Sequence, residues 1–391
     1  MAGVISRGIQ GPIIREGDDI VDIVVKSVYA SEQADGYTLQ NRDVIAVTES
    51  VVARAQGNYV TVDQVAQDIR AKFPAKKLGL VFPILSRNRF SMCLKAIARA
   101  MDEVVVLFSY PNDEVGNPLM VRSAYLKNRY SGVYDFEEAD FVKTFGSPVH
   151  PFTGVNYLDF YREVIESEGA KATFLFSNDC RYIASYCDSI LCCDIHTRNE
   201  TRDVLQSMGK QVLTLADIMN APVDGSGYHE AYGMLGSNKS TEDKVKLFPR
   251  ECQDLVEAIQ ARILKESGKH VEVMVYGDGA FKDPVGGIWE LADPVVSPAY
   301  TAGLAGKPNE LKLKFLADND FADLSGEALQ EAIRQEIRAK REDLVGDMSS
   351  EGTTPRQYTD LLGSLCDLTS GSGDKGTPFI VIQNYFNNYA G

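Results

Sequence analysis

No stretch of this 391-residue chain is apolar over the length a membrane span requires. Its opening residues, MAGVISRGIQGPI, lack the apolar core of a signal peptide. A basic excess is also missing: 40 lysines and arginines stand against 55 aspartates and glutamates, a formal charge of −15. That balance argues against nucleic acid or an anionic membrane as the main partner, while leaving room for one basic pocket that meets nucleotide phosphates. The seven cysteines are odd in number and show no disulfide-framework spacing, as suits a reducing compartment. A soluble, cytoplasmic protein is expected, with two domains at this length.

The clearest local signals lie between Ala231 and Lys282. Leu255, Ile259 and Ile263 recur at helical spacing, and Gly268 follows where a left-handed C-cap belongs. Val271, Val273 and Val275 then alternate with Glu272 and Met274, which reads as a strand. It runs into Tyr276-Gly-Asp-Gly279, so Asp278 sits on a glycine-flanked turn at a strand's C-terminal end. Two readings of Asp278 stand: a carboxylate presented to a metal or substrate, or a solvated turn residue. Upstream, Gly233–Ser240 shadows a G-x-x-x-x-G-K-S phosphate loop. Asn238 replaces the second glycine, which must let amides wrap the phosphates, and no strand leads in. A true phosphate loop is therefore rejected, and Ser237, Asn238 and Lys239 remain candidate polar or phosphate contacts.

Strands alternate with short helices between Leu78 and Leu215, with strands at 78–82, 104–108, 173–176, 189–193 and 211–215. This pattern predicts a mostly parallel, doubly wound sheet in a three-layer unit. Ser86-Arg-Asn-Arg-Phe90 precedes a helix and offers Arg87, Arg89 and backbone amides as an anion cradle. Asp113, Glu114 and Asn117 in the loop Tyr110–Asn117 have the chemistry for a cation, a ribose or an amine, and equally for a plain turn. Cys192-Cys-Asp-Ile-His196 invites a zinc reading, but its spacing fits no C-x₂-C pair and the cysteines fall on a buried strand.

Elsewhere, Asp18 or Asp19 caps a helix carrying Ile20, Ile23 and Val24. Residues 43–47 form a strand, and Glu49–Ala55 a helix that bears Arg54 and stops at Gly57. Asp283-Pro, Asp293-Pro and Ser297-Pro punctuate a loop around Trp289, the only tryptophan. Residues 327–345 read as one amphipathic helix, with Leu329, Ile333, Ile337 and Leu344 on a face for packing or dimerisation. Thr354 and Pro355 start another helix. The glycine-rich loop Ser370–Thr377 carries Lys375, either for close approach to a phosphate or as a linker before a strand at 379–382.

Taken together, four stretches resemble the coenzyme F-420 gamma-glutamyl ligase family. Glu16-Gly-Asp-Asp-Ile20 and Arg42–Gly57 are similar to its E-G-D-D-L and G-D-V-L-V-V segments. Gly233, Ser237 and Asn238 match part of its N-A-G-I-D-x-S-N motif. Arg262-Ile-Leu264 with Gly268-Lys269 resembles the helix end R-I-L-x-x-x-G-K, and Asp360-Leu-Leu362 with Gly373–Pro378 its C-terminal segment. The resemblance implies a ligase-like core from residues 1–62 and 231–391; the mostly parallel α/β unit read from the strand–helix pattern, 63–230, is then an insert that the family core lacks, and the whole is a mixed α/β fold. It implies GTP or ATP as co-substrate, Mg²⁺ or Mn²⁺ as cofactor, and glutamate or another amine joined to a small-molecule acid of deazaflavin or folate type. It also implies a homodimer. On this view Asp278, Asp113 and Glu114 hold metal, while Arg54, Arg87, Arg89, Ser237, Asn238, Lys239 and Lys375 meet nucleotide phosphates.

The chain departs from the family pattern at chemically sensitive places. Leu235 stands at the aspartate of N-A-G-I-D-x-S-N, and Gly277 at that of T-D-T-N-G-R, with Asp278 one residue late. Phe281-Lys-Asp-Pro284 replaces an arginine cluster. A leucine offers Mg²⁺ or Mn²⁺ no oxygen donor. Two functions follow as expectations: a divergent ligase, or a non-catalytic small-molecule or nucleotide binder on a ligase-like fold. An enzyme of another class, built around the insert, is a third.

Overall fold

The computed structural model describes residues 3–129, 132–280, 292–350, 356–370 and 373–391. Three sheets organise the described residues. The first has the strand order Ile5–Ile9, Phe379–Gln383, Val44–Thr48, Glu272–Tyr276, Ala299–Tyr300. Its centre is the parallel pair Val44–Thr48 and Glu272–Tyr276, in register from Val44 opposite Glu272 to Thr48 opposite Tyr276. Alternation along these strands feeds two cores, because successive side chains leave opposite faces. Ile45 and Val47 pack with Val24 and Val28 of the helix Ile20–Asp35 and with Val256 and Ile259 of the helix Cys252–Ser267. Val44 and Ala46 face Leu362 and Cys366 of the helix Tyr358–Ser370. The helix Cys252–Ser267 ends as expected, with Gly268 left-handed at φ 70°. Of the two candidate N-caps Asp19 is the one used, accepting from the Asp22 amide at 3.0 Å.

The second sheet is the expected doubly wound one. Its order is Phe136–Glu137, Lys171–Phe176, Glu103–Phe108, Lys77–Val81, Ser189–Cys192, Gln211–Thr214. Every pairing is parallel except the edge strand Phe136–Glu137. The helices Val62–Lys72, Phe90–Ala100 and Tyr157–Ser167 cover one face. The turn Cys180–Ser185 and the helix Arg198–Ser207 cover the other. From Lys77–Val81 the chain winds outward to one side, then returns to Ser189–Cys192 on the other. The order therefore reverses between those two strands, and ligands of open α/β sheets bind in the crevice outside such a reversal. A small antiparallel sheet of Asn238–Lys239, Lys244–Lys246 and Tyr59–Thr61 lies alongside.

Several expectations change. The amphipathic helix is shorter, Gly326–Ala339, and buries Ile333 and Ile337. Leu344 is buried from a loop that folds around Asn309, whose Oδ1 accepts from the Leu344 amide and whose carbonyl accepts from Lys340 Nζ. Cys192 and Cys193 are buried free thiols that pack in different cores on opposite faces of the sheet, so they do not converge on one ion. The strand Ile5–Ile9 was not legible because it is an edge strand with only Ile9 buried. Trp289, the residues Phe281–Pro284 and the cap Thr354-Pro355 lie outside the described residues. No described helix is long and apolar enough to cross a membrane.

Candidate functional site

The parallel pair of the first sheet ends at one edge. Glu49 follows Thr48 directly, and Asp278 lies two residues beyond Tyr276. Asp293 is buried at 2% exposure beside them: its Oδ2 accepts from the Asp278 amide at 2.8 Å. Gly277 makes that approach possible, since a Cβ there would stand 2.3 Å from Asp293 Oδ2. Asp367, on the helix Tyr358–Ser370, accepts from the Gly279 amide at 3.0 Å. Four carboxylates thus gather at the C-terminal ends of two parallel strands.

The second sheet contributes a cation to that edge. The loop after Lys77–Val81, at the reversal of strand order, carries Arg89. Its Nη2 donates to both oxygens of Asp278 at 2.9 and 2.7 Å, and its Nη1 to Asp293 Oδ1 at 2.7 Å. Burial works against the guanidinium's charge, yet Asp293 and Asp278 outweigh it and hold its pKa above the usual range. A second cation, the buried Lys246, meets Glu49 at 3.0 and 2.8 Å. Burial pushes the Glu49 carboxyl up, and Lys246 pulls it back. Burial also raises Asp367, while its bond from Gly279 opposes the shift.

Beside Arg89 a cleft of about 560 Å³ opens, lined by Ser86, Arg87, Asn88, Asn117, Thr153 and Tyr157 among others. Arg87 is exposed there. The segments that carry Arg87 and Lys239 meet, for the Lys239 amide donates to the Asn88 carbonyl at 2.7 Å. Lys239 Nζ pairs with Glu242 at 2.6 Å, and Ser237 is buried with its Oγ 3.8 Å from Cys93 Sγ. The structure therefore brings Arg89 to Asp278 and the Asn238–Lys239 segment to that of Arg87, while the Ser237 side chain is buried against Cys93. The loop of Lys375 reaches the same edge of the first sheet, where the Thr48 amide donates to Pro378. Arg54 stands apart on the helix leading away, its Nε donating to the Ile14 carbonyl at 3.2 Å.

Asp113 and Glu114 turn their oxygens to the protein. Asp113 is buried and accepts from the amides of Leu85, Val115 and Asn117 and from Asn117 Nδ2, which fixes the wall of the cleft. Glu114 accepts from the Ile195, His196 and Thr197 amides just before the helix Arg198–Ser207, a carboxylate at a helix N-terminus. Both thus stand outside the carboxylate group around Arg89. Burial raises the Asp113 carboxyl to about 7. A folded pKa raised above that of the unfolded chain means the fold holds the proton, and that contribution is lost as pH rises from about 4 through 7. Asp113→Asn is expected to lower the melting temperature, because Leu85 and Asn117 then face an amide donor, and to flatten this pH slope. Thermal melting at pH 5 and pH 8 reads both effects.

Glu49, Lys246, Asp293 and Asp367 were not singled out from the sequence. Glu49 had a usable signal, since it follows a buried strand as Asp278 does. Asp293 read as turn punctuation before a proline. Lys246 and Asp367 had none, being brought in by tertiary packing alone.

In open α/β sheets a cleft of this kind, at the C-terminal ends of parallel strands, is where ligands are generally bound. More particularly, the chain belongs to the F420-0:Gamma-glutamyl ligase family, whose model matches residues 8–384 and so runs through the doubly wound sheet as well. That is a family of ligases of coenzyme F-420 biosynthesis. Among curated proteins none matches the chain in sequence.

Proposed function

We propose that the chain is a nucleotide-dependent carboxylate–amine ligase that joins glutamate or another amine to a small-molecule acid of deazaflavin or folate type. The observation that carries this reading is the cleft at Arg87 and Asn88, opening beside four carboxylates, the part-buried Arg89 and the buried Lys246 at the strand ends. The acid's carboxylate oxygen attacks the terminal phosphorus of GTP or ATP, and the bond to the departing diphosphate breaks. The amine nitrogen then attacks the acyl carbon, orthophosphate leaves, and the amine's proton passes to solvent. Arg87 and Lys239 supply charge for phosphate oxygens, Arg87 with the planar fork that phosphate geometry favours. The acidic edge of Asp278 and Asp367 favours an incoming ammonium over an anion and orients the amine.

Incubation with a triphosphate, glutamate and a panel of acids tests the reading, with amide and orthophosphate read together. One observation favours a second reading, a non-catalytic binder: Leu235 is 1% exposed and lies in an apolar core where the family pattern has an aspartate. Nucleotide binding without amide formation for any acid in the panel would select it.

A further inference from the structure

We infer that in this chain the Arg89 guanidinium takes the charge-neutralising place that a protein-held divalent ion has where the family's two aspartates are present. Both of those positions are unfit for an ion here. Leu235 is sealed among apolar side chains and has no donor. Gly277 is fixed by its neighbour: with a Cβ only 2.3 Å from Asp293 Oδ2, an aspartate at 277 and Asp293 in its present place exclude one another.

The two carboxylates nearest Arg89, Asp278 and Asp293, are already partnered at every oxygen. Both Asp278 oxygens accept from Arg89 Nη2. Asp293 uses one oxygen for Arg89 Nη1 and the other for the Asp278 amide. A divalent ion needs about six oxygens in a near-octahedral shell. To gain three of these four it must expel a guanidinium of like charge from a site where that group is only 15% exposed, and the fourth is held by the Asp278 amide. Arg89 and Leu235 also line the same small cavity with Ile84, Phe90 and Cys93. The leucine gives the arginine an apolar neighbour where the family pattern has an aspartate. Arg89 stays charged wherever the carboxylates are ionised, because they hold its pKa up.

The proposal rests on the ligase reading for the meaning of the site, but its test uses no nucleotide, so the two can fail separately. Mn²⁺ is titrated into the full chain and followed by the spin-resonance signal of the free ion, with thermal melting in Mn²⁺ and in EDTA. The wild type is expected to show no site tighter than about 1 mM and the same melting midpoint in both. Arg89→Met, which leaves the carboxylates without their cation, is expected to bind Mn²⁺ at least about tenfold more tightly and to melt higher in its presence. Arg89→Lys retains a charge and is expected to gain no Mn²⁺ site. Stoichiometric micromolar binding by the wild type would overturn the proposal whatever the variants do. A folded Arg89→Met that gains no Mn²⁺ would overturn it as well.

Discussion

Arg89→Met is expected to lower the unfolding free energy by about 3–5 kcal/mol, measured by chemical denaturation, and to remove ligase activity. The size follows from what the substitution leaves behind. Asp293 is 2% exposed and loses the guanidinium from its Oδ1, and Asp278 loses its donor to both oxygens. A carboxylate stranded away from water costs more than the pair contributed, so the loss exceeds that of a surface ion pair several-fold. Arg89→Lys should recover less than half of it, because one ammonium lacks the planar fork that spans two carboxylates. Arg89 also ties the loop of the second sheet to the edge of the first. Loss of stability from this one position therefore follows from the geometry, and loss of activity is expected on the ligase reading proposed above. A denaturation midpoint unchanged in Arg89→Met would refute it.

Lys246→Met carries the second large effect, again about 3–5 kcal/mol, since Glu49 and Lys246 are each only 6% exposed at the side chain. Its pH dependence has a definite sign. Burial already raises the Glu49 carboxyl above its ordinary value in the wild type, with Lys246 opposing. Without the ammonium the folded pKa rises further, the fold prefers the protonated acid, and stability falls as pH climbs through that wider interval. The penalty should accordingly be larger at pH 8 than at pH 5. The double variant Glu49→Leu with Lys246→Met removes both charges and should regain most of the loss. A double variant as unstable as Lys246→Met would show that packing, and not the stranded charge, sets the cost.

The framework was readable where local chemistry and tertiary structure agree. Gly268 ends its helix because a left-handed cap favours glycine, and the strands of the second sheet announced themselves as buried runs between short helices. Asp278 was legible for the same reason, a carboxylate on a glycine turn after an alternating strand. The partner of Asp278 was not. Ser86–Phe90 suggested two arginines facing an anion from outside, and only the tertiary fold turns Arg89 inward to Asp278 and Asp293 across nearly two hundred residues of chain. Asp293 was hidden by its proline, which gives the signature of a surface turn while the side chain is buried. Asp113 and Glu114 show the opposite case. Their residue types suit a cation, but the fold assigns their oxygens to backbone amides that neighbouring loops leave open.

The most direct test of the account is coupled product formation by the wild-type chain. The protein is incubated with GTP or ATP, glutamate and a panel of deazaflavin-type and folate-type acids. Mass spectrometry then reads the amide while orthophosphate and nucleoside diphosphate are counted. The account predicts, for at least one acid, one amide and one orthophosphate for each diphosphate formed, with none when the acid or the amine is left out. Absence of any acid-dependent amide across the panel, with the protein folded and the nucleotides intact, would contradict it.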